Sequence, residues 1–146
     1  MNAKMWLLVF SVLLLLVACT GNKKEAWQES EFFESGSYRM IGIKDKVGFI
    51  YDKETIPFTA NEPNKYMWHF WGDEDELKGD IKVIGIFEDE PDEKIEVLHE
   101  KINYLSAHNG ADYHIPSLME LPKAGMWKLE VYIDDKIFET IYVEVA

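Results

Sequence analysis

The strongest constraint on the fold is a strict alternation of apolar and polar residues near the C-terminus. Large apolar side chains occupy every second position, at Trp127, Leu129, Val131 and Ile133. A period of two places alternate side chains on opposite faces of a β-strand. Asp134-Asp135 then predicts a turn, and Ile141, Val143 and Val145 continue the pattern on a returning strand. We expect a terminal hairpin that covers a second sheet and is the most stable part of the fold.

Short apolar segments separated by turn residues recur through the preceding part of the chain. They span residues 40–44, 47–51, 65–71 and 81–88. The first two flank Asp45-Lys46, which predicts a hairpin. The last carries apolar residues on both faces, which is typical of a central strand.

Residues 94–105 carry two competing patterns. Ile95, Leu98, Ile102 and Leu105 fit a helical stripe, whereas Ile95 and Val97 begin an alternation. We favour strand and loop, because the rest of the chain is dominated by short strands. Residues 113–115 and 118–121 predict edge pieces, since Pro116 denies Ile115 a helical backbone. Together these segments predict an all-β, immunoglobulin-like antiparallel β-sandwich.

The N-terminus has the pattern of a lipoprotein signal peptide. Lys4 precedes about a dozen apolar residues at 6–17, and Leu16-Val17-Ala18-Cys19 forms a lipobox. A membrane-spanning helix needs roughly 20 apolar residues, so this run is too short to span. We expect cleavage before Cys19 and a diacylglyceryl group on its thiol. The alternative is an ordinary secretory signal that ends near a cysteine.

Lipidation of Cys19 would fix both the location and part of the chemistry. Two acyl chains hold a protein on a bilayer for long periods, whereas one chain binds only marginally. We therefore expect an extracytoplasmic protein, lipid-anchored to a bacterial cell membrane through Cys19. Because Cys19 is the single cysteine, no thiol would remain for a disulfide, a metal site or nucleophilic catalysis.

The composition predicts three regions. Residues 1–18 form the signal peptide, residues 19–37 the lipidated N-terminus and an acidic tether, and residues 38–146 the β-sandwich domain. Trp27, Phe32 and Phe33 are unusual in a simple spacer. They leave open whether the tether docks on the domain, dips into the headgroup region or is loosely ordered.

The net charge limits the class of partner. The chain carries 27 acidic and 15 basic residues, a formal net charge of −12. Such a surface repels nucleic acid and anionic headgroups, so we expect no nucleic-acid partner. Arg39 is the sole arginine, which argues against a guanidinium clamp for phosphate. Beyond the membrane itself, an envelope protein or a cell-wall component remains as the expected partner.

His69 and Trp71 form the candidate ligand or partner surface. In a strand over residues 65–71 they lie on the face opposite Trp68, which would fill the centre of the sandwich. An exposed tryptophan beside a histidine can stack on a sugar ring or grip a partner. The alternative is that the loop at 61–65 covers Trp71.

Neither a metal site nor a catalytic site is predicted. The four histidines, His69, His99, His108 and His114, lack diagnostic ligand spacing, although the turn-like segment between His108 and His114 can fold back. The acidic runs at 73–76 and 88–90 lack the alternating ligands and glycine of an EF-hand and are expected to be solvated turns. No Gly-x-Ser-x-Gly motif is present, and Ser117 is expected to cap a turn or to pair with backbone. We expect no cofactor and a non-enzymatic binding or accessory module of the cell envelope. The alternative is an envelope sensor that binds a small ligand, a carbohydrate or a metal.

Three segments carry a resemblance to a known family. They are the stretch Gly125-Met126-Trp127-Lys128-Leu129-Glu130-Val131-Tyr132-Ile133-Asp134, the stretch Lys65-Tyr66-Met67-Trp68-His69-Phe70-Trp71-Gly72, and His114-Ile115-Pro116-Ser117 ahead of Leu121-Pro122. Over residues 46–145 the chain resembles an uncharacterised family of small lipoproteins from spore-forming Gram-positive bacteria. The resemblance implies an immunoglobulin-like fold and an extracytoplasmic compartment, and it transfers no functional residue. The terminal hairpin is also similar to that of intracellular proteinase-inhibitor domains, a role that the lipobox opposes.

Overall fold

Strands make up most of the protein between Lys24 and Ala146, the residues that the computed structural model describes. The strands are β1 (Phe32–Ser35), β2 (Tyr38–Ile43), β3 (Val47–Ile50), β4 (Asn64–Phe70), β5 (Gly79–Phe87), β6 (Glu90–Ile102), β7 (Tyr113–Met119), β8 (Gly125–Ile133) and β9 (Lys136–Val145). A single-turn helix, α1 (Glu74–Leu77), lies between β4 and β5. No helix in this part of the chain is long and apolar enough to cross a membrane. The predicted signal peptide and Cys19 lie outside the described residues.

Two antiparallel sheets pack face to face. One has the order β1-β2-β3-β4-β7 and the other the order β6-β5-β8-β9. The inward side chains alternate along their strands and bury completely, as a sandwich core requires. The core includes Phe49, Trp68, Phe70, Ile81, Val83, Leu129, Val131, Ile141 and Val143. The prediction of an all-β antiparallel sandwich is confirmed.

The predicted terminal hairpin is present as β8 and β9. Ile133 pairs with Lys136 across a two-residue turn, and both turn residues have left-handed backbone, with φ of 47° at Asp134 and 61° at Asp135. Aspartate tolerates this conformation better than most residues, and the resulting twist matches that of the flanking strands. The other edge of β8 pairs with β5. Because β5 lies between β6 and β8, it is a central strand, as predicted.

The two segments with weaker patterns are both strands. Residues 94–102 belong to β6, so the strand interpretation is correct, and the helical stripe was a coincidence of spacing. The two edge pieces predicted around Pro116 are instead one continuous strand, β7. Pro116 is tolerated there because β7 pairs with β4 alone and forms an edge of the five-stranded sheet.

The acidic run at 73–76 contributes to a helical turn rather than to a solvated turn alone. Asp73 caps α1, and its side chain accepts a hydrogen bond from the Glu76 amide at 2.9 Å. The acidic side chains are exposed, while Leu77 is completely buried and fixes the turn against the core.

The described part of the predicted tether is folded onto the sandwich. We call residues 24–31 the N-terminal strap, because they cross the four-stranded sheet before β1 joins the other sheet. The Ser30 amide donates to the Tyr142 carbonyl at 2.9 Å, and the Tyr142 amide donates to the Ser30 hydroxyl at 2.8 Å. The Trp27 ring packs edge-on against Tyr142, with ring centroids 5.5 Å apart. The ordered domain therefore begins well before residue 38, and docking is the alternative that the structure adopts.

Candidate functional site

The outer face of the five-stranded sheet is covered around His69. The side chains of Met67, His69 and Trp71 point away from the core, on the face opposite Trp68, as the alternation predicts. His69 nevertheless has no exposed surface, and Trp71 is half-buried. The interpretation of His69 as part of an accessible surface is therefore incorrect, because other segments lie over it.

β1 supplies one part of this cover. Phe33 lies across the sheet and meets Trp71 edge-on, with ring centroids 5.9 Å apart. Gly48 leaves the room for it, since a Cβ atom there would come within 2.8 Å of Phe33 Cζ. A side chain at residue 48 would displace the Phe33 ring, so this close approach accounts for the glycine.

The loop between β6 and β7, residues 103–112, supplies the other part. Trp71 Nε1 donates to the Gly110 carbonyl at 2.7 Å, and Ser35 Oγ donates to the Asn109 carbonyl at 2.7 Å. The Gly72 amide donates to the Asp112 carboxylate at 3.0 Å. Trp71 is thus covered by β1 and the β6–β7 loop, and not by the loop at 61–65.

Three histidines lie together at this place: His69 on β4, His108 in the β6–β7 loop and His114 on β7. The ring centroid of His69 is 6.4 Å from that of His108 and 6.3 Å from that of His114. The ring centroids of His108 and His114 are 4.8 Å apart. His99 lies elsewhere, on β6 beside Glu96. We call Phe33, His69, Trp71, His108 and His114 the aromatic–histidine cluster. His108 is its exposed member.

The hydrogen bonds of His69 fix its protonation state. Its Nδ1 lies 3.1 Å from the Met67 carbonyl oxygen, to which it donates, and its Nε2 accepts from the Asn109 side-chain Nδ2, also at 3.1 Å, since an amide nitrogen only donates. This is a neutral ring. Burial lowers the pKa of His69, the bond to Met67 opposes that effect, and the nearby His114 and His108 lower the pKa further.

The histidines do not form a preformed metal centre. Among residues 24–146, no group of three histidine, aspartate, glutamate or cysteine side chains is placed to hold a metal ion. The rings of His69, His108 and His114 stack at interplanar angles of 19° to 40° instead of converging on one point. His114 Nδ1 donates to the Ser106 carbonyl at 2.7 Å, so this nitrogen is engaged with backbone.

Ser117 has a structural role. Its hydroxyl accepts from Trp68 Nε1 at 3.1 Å and donates to the Tyr66 carbonyl at 3.1 Å, in a buried position between β4 and β7. Both its proton and its oxygen are therefore engaged inside the core. The expected pairing with backbone is present, and the residue satisfies the indole of the central tryptophan.

A shallow groove of about 650 Å³ runs beside the N-terminal strap. Its lining combines the acidic side chains Glu29, Glu31 and Glu34 with Phe32 and Tyr142. Carboxylates with interleaved aromatics suit neutral or cationic groups better than anions. The groove lies along a segment that the sequence assigned to a spacer, so sequence reasoning missed it.

Asn109, Phe33 and Gly48 are the site residues that sequence reasoning missed. Asn109-Gly110 carried a signal, since this dipeptide predicts a turn that folds back, and both residues do adopt positive φ, of 51° and 80°. Phe33 was noted only as an aromatic residue unusual in a spacer, and Gly48 carried no signal, because their contact depends on how β1 lies on the sheet.

Comparison with known proteins places the chain in a family. The fold and site define an all-β sandwich with a covered outer face. Residues 19–143 match the family described as a domain of unknown function, DUF4871, and the chain belongs to that family. No curated protein matches it.

A solved structure shares the fold. The crystal structure of a protein described as a "Putative Lipoprotein from Bacillus anthracis" superposes with a TM-score of 0.58 and 22% sequence identity. The match covers 85% of this chain and 89% of that one. At this identity the likeness concerns the fold.

Acidification should weaken the fold through His69. Because burial lowers its pKa in the folded protein, the unfolded chain binds a proton first as the pH falls below about 6.5. The contribution of neutral His69 to the free energy of unfolding is fully present above that pH and is lost progressively below it. Denaturation measured between about pH 7.5 and 5.5 should show a steeper loss of unfolding free energy for the wild-type protein than for His69→Gln.

The exposed His99 offers a matched control. In the His99→Gln variant, the unfolding free energy should change with pH nearly as steeply as in the wild-type protein. The imidazole signals of His69 in the unaltered protein give a second measurement that needs no variant to fold. A midpoint for His69 at or above about 6.5 would contradict the role assigned to burial.

Proposed function

We propose that this protein is a lipid-anchored, extracytoplasmic lipoprotein whose β-sandwich acts as a non-enzymatic binding or accessory module of the cell envelope. The lipobox ending at Cys19 carries the proposal. Two observations support it: the family match begins at residue 19, where the mature chain would begin, and the structural neighbour carries the description "Putative Lipoprotein". The anchor would leave the mature chain without a thiol.

We propose further that the sandwich is immunoglobulin-like. The strand order supports this, because β4 and β7 are neighbours in one sheet while β5, β8 and β9 lie side by side in the other. Strands B and E, and strands C, F and G, have the same arrangement in immunoglobulin domains. One departure is that the buried tryptophans lie on β4 and β8, whereas β5, which corresponds to strand C, carries none.

A binding role is favoured over catalysis by what the polar side chains at the cluster do. His69, Asn109 and Asp112 are engaged in hydrogen bonds that hold the β6–β7 loop in place. Nucleophilic catalysis by a serine needs a base within hydrogen-bond reach of its hydroxyl, and Ser117 is buried on the face of the sheet opposite the histidines. The half-buried Trp71 and exposed His108 instead offer aromatic surface on which a partner can pack.

The anchor is tested by mass spectrometry of the mature protein from its bacterial host. We expect the N-terminal peptide to begin at Cys19 and to carry the mass of a diacylglyceryl group. A Cys19→Ser variant should lack that mass and lose cleavage at this site. A mature wild-type chain that begins elsewhere, or carries an unmodified Cys19, would contradict the proposal.

The alternative sensor function has one observation in its favour. The ring centroids of His108 and His114 lie 4.8 Å apart, and the bond of His114 Nδ1 to Ser106 leaves Nε2 as the nitrogen that would bind a metal; rotation of the exposed His108 ring would let both residues bind one transition-metal ion. Zinc alone then provides the probe. Under this function zinc should raise the thermal midpoint of the wild-type protein.

One pair of variants separates the two functions. His108→Ala and His99→Ala each remove an exposed histidine, but only the first lies in the aromatic–histidine cluster. For the accessory module, cross-linked capture of an envelope partner should weaken at least about tenfold in His108→Ala and persist in His99→Ala, with no effect of zinc. Loss of zinc stabilisation in His108→Ala alone would favour the sensor. Equal capture by both variants would exclude the cluster as the partner surface.

A further inference from the structure

The N-terminal strap begins at a defined end of the sandwich. Lys24 Nζ donates to the Glu88 carbonyl at 3.0 Å, and the Trp27 amide donates to the Glu88 carboxylate at 2.7 Å. Glu88 lies in the turn between β5 and β6, and its amide donates to the Met126 carbonyl at 3.0 Å, at the start of β8. We call this the near end: the β5–β6 turn, the start of β8 and the end of β9.

The far end of the sandwich lies at the other termini of the same strands. It contains the β8–β9 turn, helix α1 and the β2–β3 turn. The Asp134 amide donates to the Asp80 carbonyl at 3.0 Å, and Trp71 bonds to the β2–β3 turn through the Lys46 carbonyl at 2.9 Å. Since β8 has nine residues, the two ends are about 30 Å apart.

The strap is held along its length. Lys128 lies over the Trp27 ring, with Nζ 5.4 Å from the ring centroid. Glu29 accepts from the Glu144 amide at 3.4 Å and pairs with Lys53 at 3.5 Å, one residue before Ser30 bonds to Tyr142. Its direction relative to the sheets is therefore fixed from Lys24 onward.

Chain length then limits how far the near end can lie from an anchor at Cys19. Five residue steps separate Cys19 from Lys24, and a fully extended chain covers at most about 18 Å in that number of steps. A free tether over residues 19–37 would instead reach more than about 60 Å and would let the domain turn in any direction. The strap removes most of that reach.

We propose that the N-terminal strap orients the domain on the membrane, with the near end facing the bilayer and the far end facing outward. The proposal rests on the lipid anchor proposed at Cys19. This orientation also sets the direction in which the partner surface faces, because the aromatic–histidine cluster lies near the end of β4, at the far end. The cluster would thus be presented to the envelope rather than to the lipid.

The near end is acidic, so we expect it to face the bilayer without binding to anionic headgroups. The β5–β6 turn and the start of β6 carry Glu88, Asp89, Glu90, Asp92 and Glu93. Lys123 pairs with Glu90 and Glu93 and neutralises only part of this charge. Anionic headgroups repel the remaining negative charge within a screening length of about 8 Å. The segment from Cys19 to Lys24, which can extend to about 18 Å, is long enough to allow that separation.

Fluorescence quenching from the bilayer tests the orientation. The mature chain's sole natural cysteine is the lipidated one, so Asp89→Cys and Asp75→Cys each provide a unique labelling site, at the near and far end respectively. Both residues are exposed. The lipidated proteins are placed in vesicles of phosphatidylcholine and phosphatidylglycerol that contain a headgroup quencher. We expect severalfold stronger quenching for the Asp89→Cys protein.

A flexible insertion gives the matched control. Eighteen glycine and serine residues added between Lys23 and Lys24 span about 24 Å on average, so the two labels should become similar in quenching. Equal quenching at the native length, or stronger quenching of the Asp75→Cys protein, would overturn the orientation. Protein that fails to float with the vesicles would contradict the anchor itself, which separates the two failures.

Discussion

The reciprocal hydrogen bonds between Ser30 and Tyr142 fix the position of the N-terminal segment on the sandwich. They fasten the N-terminal strap to β9 of the four-stranded sheet, and two residues later the chain enters the five-stranded sheet as β1. One segment therefore joins both layers of the sandwich. Because burial already holds the sheets together, the added effect of the strap is to fix where the chain begins.

The aromatic–histidine cluster is a consequence of the same placement. β1 carries Phe33 onto Gly48 and Trp71, and its last residue, Ser35, holds the Asn109 carbonyl of the β6–β7 loop. That loop in turn presents the Asn109 amide to His69. A buried, neutral histidine is stable there because both of its ring nitrogens are paired.

The sandwich was predictable and the strap was not, for a physical reason. A period of two in apolar side chains reports which face of a strand is buried, so β5, β8 and β9 followed from composition and spacing alone. The strap has no such period, and Ser30 finds its partner 112 residues along the chain. The alternation of residues in β4 correctly placed His69 on the face opposite Trp68. It carried no information on the β6–β7 loop and β1, which cover His69, because these segments are distant in sequence.

Hydrogen exchange at the Ser30 and Tyr142 amides measures the strap most directly. If the strap is an integral part of the fold, both amides exchange as slowly as those of the β8–β9 hairpin, since they are released only when the sandwich opens. Exchange of Ser30 at the rate of an unstructured peptide, with Tyr142 unprotected beside it, would show that the N-terminus is a free tether and would contradict the fixed start of the domain.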